Sequence, residues 1–138
     1  MEPKMFKATV SAFVILAILG FVSFGIVLAD TWTEMQVSGV LRSGDDPVAL
    51  SFYMLTLLLT THLMGHMMTG FWFEKPRDGT KYAWQYGVAV GILWVIPQLS
   101  AYFFYNIPTM VPIVQLIYAL VAFPIAATVF AKVYHQKK

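Results

Sequence analysis

Four long apolar runs constrain the fold of this chain more than any other feature. They cover approximately residues 8–29, 48–72, 82–104 and 110–131. Each run is close to the roughly 20 residues that a helix needs to span the hydrocarbon core of a bilayer. The chain is therefore predicted to be an all-α integral membrane protein, a single domain over residues 1–138 that forms a bundle of four transmembrane helices.

The composition supports this class of protein and excludes others. Hydrophobic residues make up 59% of the chain and charged residues only 12%, which is more apolar than a soluble domain of this length tolerates. There is no cysteine, so disulfides, thiolate metal sites and cysteine nucleophiles are excluded. The sequence shows no phosphate-binding loop, nucleophile constellation or acid/base pair, and its basic residues do not line one face. We therefore expect neither an enzyme nor a nucleic-acid partner.

The basic residues indicate the orientation in the membrane, because lysine and arginine accumulate in short cytoplasmic connections. The first connection holds only Arg42, while the other eight of the nine basic residues lie at the termini and between the second and third runs. This pattern predicts a multi-pass protein of the cell membrane with both termini in the cytoplasm. The first run is longer than the core of a signal peptide, about 7 to 15 residues, and is predicted to be a retained helix. The eight residues are Lys4, Lys7, Lys75, Arg77, Lys81, Lys132, Lys137 and Lys138.

Helix-start signals precede three of the runs. Asp46 is predicted to cap the second helix, with Pro47 at its first position. Thr80 is predicted to cap the third helix, and either Asn106 or Thr109 the fourth.

The first connection contains a capping-box spacing, in which Thr31 is followed three residues later by Glu34. With Trp32 as an anchor, this segment is expected to form a short interfacial helix on the outer surface of the membrane. The alternative interpretation is an irregular acidic loop.

The stretch TTHLMGHMMTG, residues 60–70, places His62 and His66 four residues apart in an apolar run. That spacing puts both rings on one helical face, which is predicted to face other helices rather than lipid. Counted from the inner edge of the run, His62 should lie roughly 15 Å deep, near the midplane. There it could donate a hydrogen bond to one of two carbonyls freed by prolines. Those carbonyls are Leu93 before Pro97 and Leu120 before Pro124, and the remaining stripe residues are Ser51, Leu55, Leu58, Gly65 and Thr69.

Two further sets of residues follow from the same count of helical rise. Four polar residues fall in one layer towards the outer side, where they would form either an interhelical hydrogen-bond cluster or the floor of an outward-facing pocket. Small residues spaced for close helix packing line the third and fourth helices. The polar layer consists of Ser23, Thr56, Gln98 and Gln115, and the packing set of Ala83, Gly87, Gly91, Ala119, Ala122 and Ala126.

Four interpretations of the histidine pair are open. Two imidazoles can share a zinc or copper ion, and neighbouring methionines, Met64, Met67 and Met68, would favour copper. A haem would need one of the histidines and a ligand from another helix or subunit, because its axial ligands come from opposite faces. Proton or cation transfer is a third use, although no helix core holds an acidic or basic residue. The fourth is interhelical hydrogen bonding within the bundle.

We favour the fourth interpretation, with no cofactor. The expected function is a non-catalytic assembly or stabilising subunit, which contacts the lipid bilayer and either other membrane subunits or further copies of itself. The first alternative is a small carrier or channel with a midplane pocket formed by Gln98, Gln115 and His62. The second is a redox subunit that binds haem or copper through His62 or His66.

Overall fold

A computed structural model of the protein describes residues 3–40, 47–69 and 79–135. These ranges are helical throughout except for short turns, and no strand occurs in them, so the all-α class is confirmed. Helix α1 continues directly into a wider, π-helical segment. The helices are α1 Pro3–Gly20 with its π-helical extension Phe21–Val27, α2 Ala29–Val37, α3 Pro47–Met67, α4 Gly79–Phe104 and α5 Met110–His135.

Helix α5 is the centre of the bundle. It packs against α4 on one side and against α1 on the other, while α3 packs mainly against α1 at the edge. The buried residues of α1 and α5 include several alanines, which allow the two backbones to approach closely. Six alanines on these two helices have no exposed surface: Ala8, Ala12, Ala119, Ala126, Ala127 and Ala131.

Successive long helices run in opposite directions. The hydroxyl of Tyr118, early in α5, donates to the carbonyl of Leu16, late in α1, at 2.9 Å. At the other end of the same pair, the side chains of Met5 and Phe130 both flank Gly65 of α3. The start of α1, the end of α3 and the end of α5 therefore meet at one end of the bundle, which we call the terminal end.

The α4–α5 interface depends on glycine. A Cβ atom added to Gly87 would lie 2.5 Å from the Cα atom of Pro124, and one added to Gly91 would lie even closer to the carbonyl of Ala119. The alanines of the packing set are all buried, with at most 1% of each exposed. Small residues thus let two helices of one chain touch through their backbones.

Helix α2 occupies the first connection and closes the bundle opposite the terminal end. It begins two residues after the end of the π-helical segment, and the Trp32 amide donates to the carbonyl of Leu28, the residue between the two segments. Leu28 and Met35 are buried in a small apolar cluster with two α5 residues, Val111 and Val114. The predicted short helix is therefore present.

The predicted capping box of α2 is wrong. Leu28 is the capping residue and makes no side-chain cap, so Thr31 lies inside the helix rather than at its start. The hydroxyl of Thr33 instead donates to the carbonyl of Ala29, one turn earlier.

The ends of the other helices differ modestly from the predicted runs. Pro47 is the first residue of α3 as predicted, whereas Asp46 lies outside the described residues. Helix α4 begins at Gly79, so Thr80 lies within it. Thr109 directly precedes α5, and its hydroxyl pairs with that of Tyr102 at 3.0 Å.

Two helices are long and apolar enough to cross a membrane. They are Pro3–Val27, which combines α1 with its π-helical extension, and Met110–His135, which is α5. They pack directly against each other in the middle of the bundle.

The α4–α5 contact predicts that a larger side chain destabilises the protein when it is added at the interface but not when it is added on the exposed side of α4. Gly91→Val should destabilise the purified protein by at least the roughly 1–3 kcal/mol typical of overpacking, because the opposing atoms are backbone and cannot move aside. Thermal unfolding in detergent measures this loss. The matched control is Ala89→Val on the exposed side of the same helix, which should leave the midpoint nearly unchanged. Equal losses in the two variants would contradict the interface.

Candidate functional site

The inward face of α3 is set by five residues, the last of which, Met68, directly follows the helix. The closest approach is at Gly65, where an added Cβ would lie 2.5 Å from the ring of Phe130. His62 and His66 each follow a buried residue by one position, which rotates them by about 100° from the buried stripe. His66 is therefore exposed and His62 half-buried. The buried stripe is Leu57, Thr61, Met64, Gly65 and Met68.

The predicted inward stripe is thus only partly correct. Gly65 belongs to it, but Ser51, Leu55 and Leu58 are exposed, with Leu55 at 51%. Leucines occur on both the buried and the exposed side of α3, so they do not specify which side faces the bundle. The fit of the Phe130 ring against Gly65 specifies that side.

The two histidines bond to each other. Their Nε2 atoms are 3.1 Å apart, and the rings are nearly perpendicular, with an interplanar angle of 87°. The Nδ1 atom of His62 is buried and has no hydrogen-bond partner. The predicted bond from His62 to the carbonyl of Leu93 or Leu120 is therefore wrong. The reason is the position of α3, which packs against α1 at the edge of the bundle instead of beside α4.

The pair lies near the terminal end of the bundle. Gly65, adjacent to His66, is flanked by Met5 and Phe130, which stand near the start of α1 and the end of α5. His66 is therefore close to the level of the N-terminal lysines, and His62 is about 6 Å deeper. The packing of Gly65 against Met5 and Phe130 places His62 nearer to the terminal end than the predicted midplane depth.

In the described part of the chain, the histidine pair supplies two ligating groups for a metal, and no further histidine, aspartate or glutamate joins them. No group of three or more histidine, aspartate or glutamate side chains able to hold a metal occurs in residues 3–40, 47–69 and 79–135. Met64 and Met68 are at most 1% exposed and pack in the core, on the other side of α3 from His66. A copper site built from them and the histidines is therefore not formed in the single chain.

The predicted polar layer forms no hydrogen-bonded cluster among the described residues. The Thr56 hydroxyl donates to the Phe52 carbonyl of its own helix, and the Gln98 amide donates to the Trp94 carbonyl at 3.4 Å. Among the described residues, no hydrogen bond joins any two of Ser23, Thr56, Gln98 and Gln115. An open apolar depression on α4 contains none of the four and is lined by Ile96, Leu99, Ser100 and Phe104.

A polar contact that the sequence analysis missed joins α1 to α5. It is the bond from Tyr118 to the carbonyl of Leu16, one turn before the π-helical segment. The ring of Tyr118 lies 5.1 Å from that of Phe24 and 5.5 Å from that of Trp94. The available signal was a tyrosine in the middle of an apolar run, because a buried hydroxyl requires a partner.

No protein-family model, curated protein or solved structure matches this chain. The geometry therefore carries the functional argument. Its most distinctive element is a pair of imidazoles at the exposed edge of the bundle, with their Nε2 atoms turned towards each other.

The unpartnered Nδ1 atom predicts which histidine donates in the metal-free protein. If His66 donated, His62 would carry a buried N–H group without an acceptor, and such orphaned donors are rare. We expect His62 to carry its proton on Nε2 and to donate to His66. Nuclear magnetic resonance of isotope-labelled histidine, assigned with His66→Gln, distinguishes the tautomers. A proton on Nδ1 of His62 would contradict the assignment.

Proposed function

We propose that the protein spans the cell membrane four times, with both termini in the cytoplasm, and serves as a non-catalytic assembly subunit. Helices α3 and α4, of 21 and 26 residues, are each long enough to cross the bilayer beside the two more apolar helices. Lys4 and Lys7 start α1 and Lys132 lies in the last turns of α5, so basic residues gather at the terminal end. That end is therefore assigned to the cytoplasm.

The observation that carries the assembly role is the exposure of α3. From Pro47 to Thr56, every side chain that the structure describes is exposed, including Phe52 at 66% and Tyr53 at 39%. In contrast, ten of the 26 residues of α5 are buried. The first half of α3 thus has little of its surface covered by its own chain, although the Tyr53 hydroxyl reaches Gly20 of α1. This exposure leaves a face for another helix.

The exposed face has the spacing of a helix-pairing seam. Phe52, Leu55, Leu59, His62 and His66 follow one another at intervals of three and four residues. Alternation of three and four is the pattern with which two helices interlock at a shallow left-handed angle. All five are exposed except His62, which is half-buried. We name these five residues the α3 seam.

We assign a second copy of the chain to the α3 seam. Copies inserted in the same orientation are related by a twofold axis along the membrane normal, which pairs each residue with its own counterpart. Helices paired in this way run parallel, so a three-and-four seam meets itself in register. The carrier or channel alternative lacks comparable support, because no hydrogen bond among the described residues joins the side chains proposed for its pocket.

The topology predicts opposite labelling at the two ends. The chain has no cysteine, so Val37→Cys in α2 and Lys132→Cys near the end of α5 each introduce one thiol. Both positions are exposed. A membrane-impermeant maleimide should label Val37→Cys in intact cells and Lys132→Cys only after lysis. Labelling of Lys132→Cys in intact cells would contradict the orientation.

The seam predicts a position-specific cross-link. Leu59→Cys, on the α3 seam, should form a disulfide-linked species of twice the chain mass when membranes are treated with a mild oxidant. Leu93→Cys is the matched control, because Leu93 is even more exposed than Leu59, 66% against 52%, but lies on α4. It should remain monomeric. Equal cross-linking of both variants, or of neither, would contradict an interface at α3.

A further inference from the structure

We propose that His62 and His66 form half of a binding site for a zinc-class divalent metal ion, and that the same pair of a second copy completes it. This inference rests on the dimer proposed through the α3 seam. It adds a ligand and a place for that ligand: the twofold axis, near the terminal end of the bundle.

The distance between the two rings matches the spacing of ligands on one ion. Histidine nitrogens lie about 2.0–2.1 Å from zinc, so two of them separated by an angle of about 90–110° are about 2.9–3.4 Å apart. The Nε2 atoms of His62 and His66 are 3.1 Å apart. Small rotations of the rings would direct both lone pairs to one point without moving the helix.

The missing ligands lie on the side where the partner is proposed. Structural zinc sites are almost always four-coordinate, and the described part of one chain supplies only two histidine ligands at this place. His66 is exposed on the outer face of α3, so an ion held by the pair would also be exposed there. A parallel second α3 brings two more imidazoles to the same level. Four neutral imidazoles suit zinc, and imidazole also suits copper and nickel.

The depth of the pair suits a charged ligand. The pair lies at the level of Met5 and Phe130, next to the residues assigned to the cytoplasmic boundary, and not at the midplane. A divalent ion at this depth is close to polar headgroups and water, where the cost of a charge is much lower than at the bilayer centre. It can also arrive from the cytoplasm without crossing the hydrocarbon core.

Metal binding would rearrange protons without releasing any. In the metal-free pair one Nε2 atom carries the proton of the hydrogen bond, whereas a ligating Nε2 must present its lone pair. Each ring keeps one proton, and in the bound form both protons are on Nδ1. For His62, binding moves the proton from Nε2 to Nδ1, where it becomes a buried donor without an acceptor. The bond from Nε2 to the metal must offset the cost of that unpaired donor.

The test uses the full-length protein in detergent, with cobalt as a spectroscopic substitute for zinc. The expected result is a visible absorption spectrum of tetrahedral cobalt that saturates at one ion per two chains and is lost on addition of zinc. His66→Gln should abolish it, while His135→Gln, which removes the only other histidine, should not. Zinc should also move the His62 proton to Nδ1 in the resonance spectrum.

A double variant distinguishes failure of the metal site from failure of the proposed dimer. Leu59→Cys combined with His66→Gln should still form the cross-linked dimer although it no longer binds cobalt. A cross-linked dimer of the otherwise natural chain without a cobalt spectrum would overturn the metal site and leave the assembly proposal intact. Binding of one ion per single chain, or binding that persists in His66→Gln, would also overturn it.

Discussion

The backbone contact of α5 with its two neighbours is the interaction on which the rest of the structure depends. Gly87 and Gly91 bring α4 against the backbone of α5, and buried alanines bring α1 against its opposite side. Water does not drive helix association inside a bilayer, so close packing and a few interhelical hydrogen bonds must supply the stability. The bond from Tyr118 to Leu16 is one of these. Helix α3 is added at the edge of this three-helix unit, which explains why its outer face is available.

The helices and the small-residue contacts could be anticipated from the sequence, whereas the faces of the helices could not. Apolar runs of about 20 residues predict helices because the chain has few other ways to satisfy its backbone in lipid. The rotation of α3 about its own axis could not be predicted in this way. Helix α3 is apolar on all sides, so the position of its buried stripe follows from one local fit, Gly65 against Phe130. The partner of His62 depends on that rotation.

The hydrogen-bond partners of Tyr118 and His62 could not be predicted from the sequence either. The sequence predicted no role for Tyr118, yet its hydroxyl bonds across the bundle. His62 was expected to bond across the bundle, yet it pairs within its own helix. Neither outcome follows from residue type, because each depends on which carbonyls lie within reach after packing. The pairing of His62 with His66 leaves both rings at the edge, where a second chain rather than a second helix of the same chain would meet them.

The central claim is that two copies meet at α3 around one metal ion. Native mass spectrometry of the full chain, released from detergent after dialysis against zinc, measures this composition directly. The account predicts a species containing two 15.5 kDa chains and one zinc ion. A single chain, with or without metal, would contradict it.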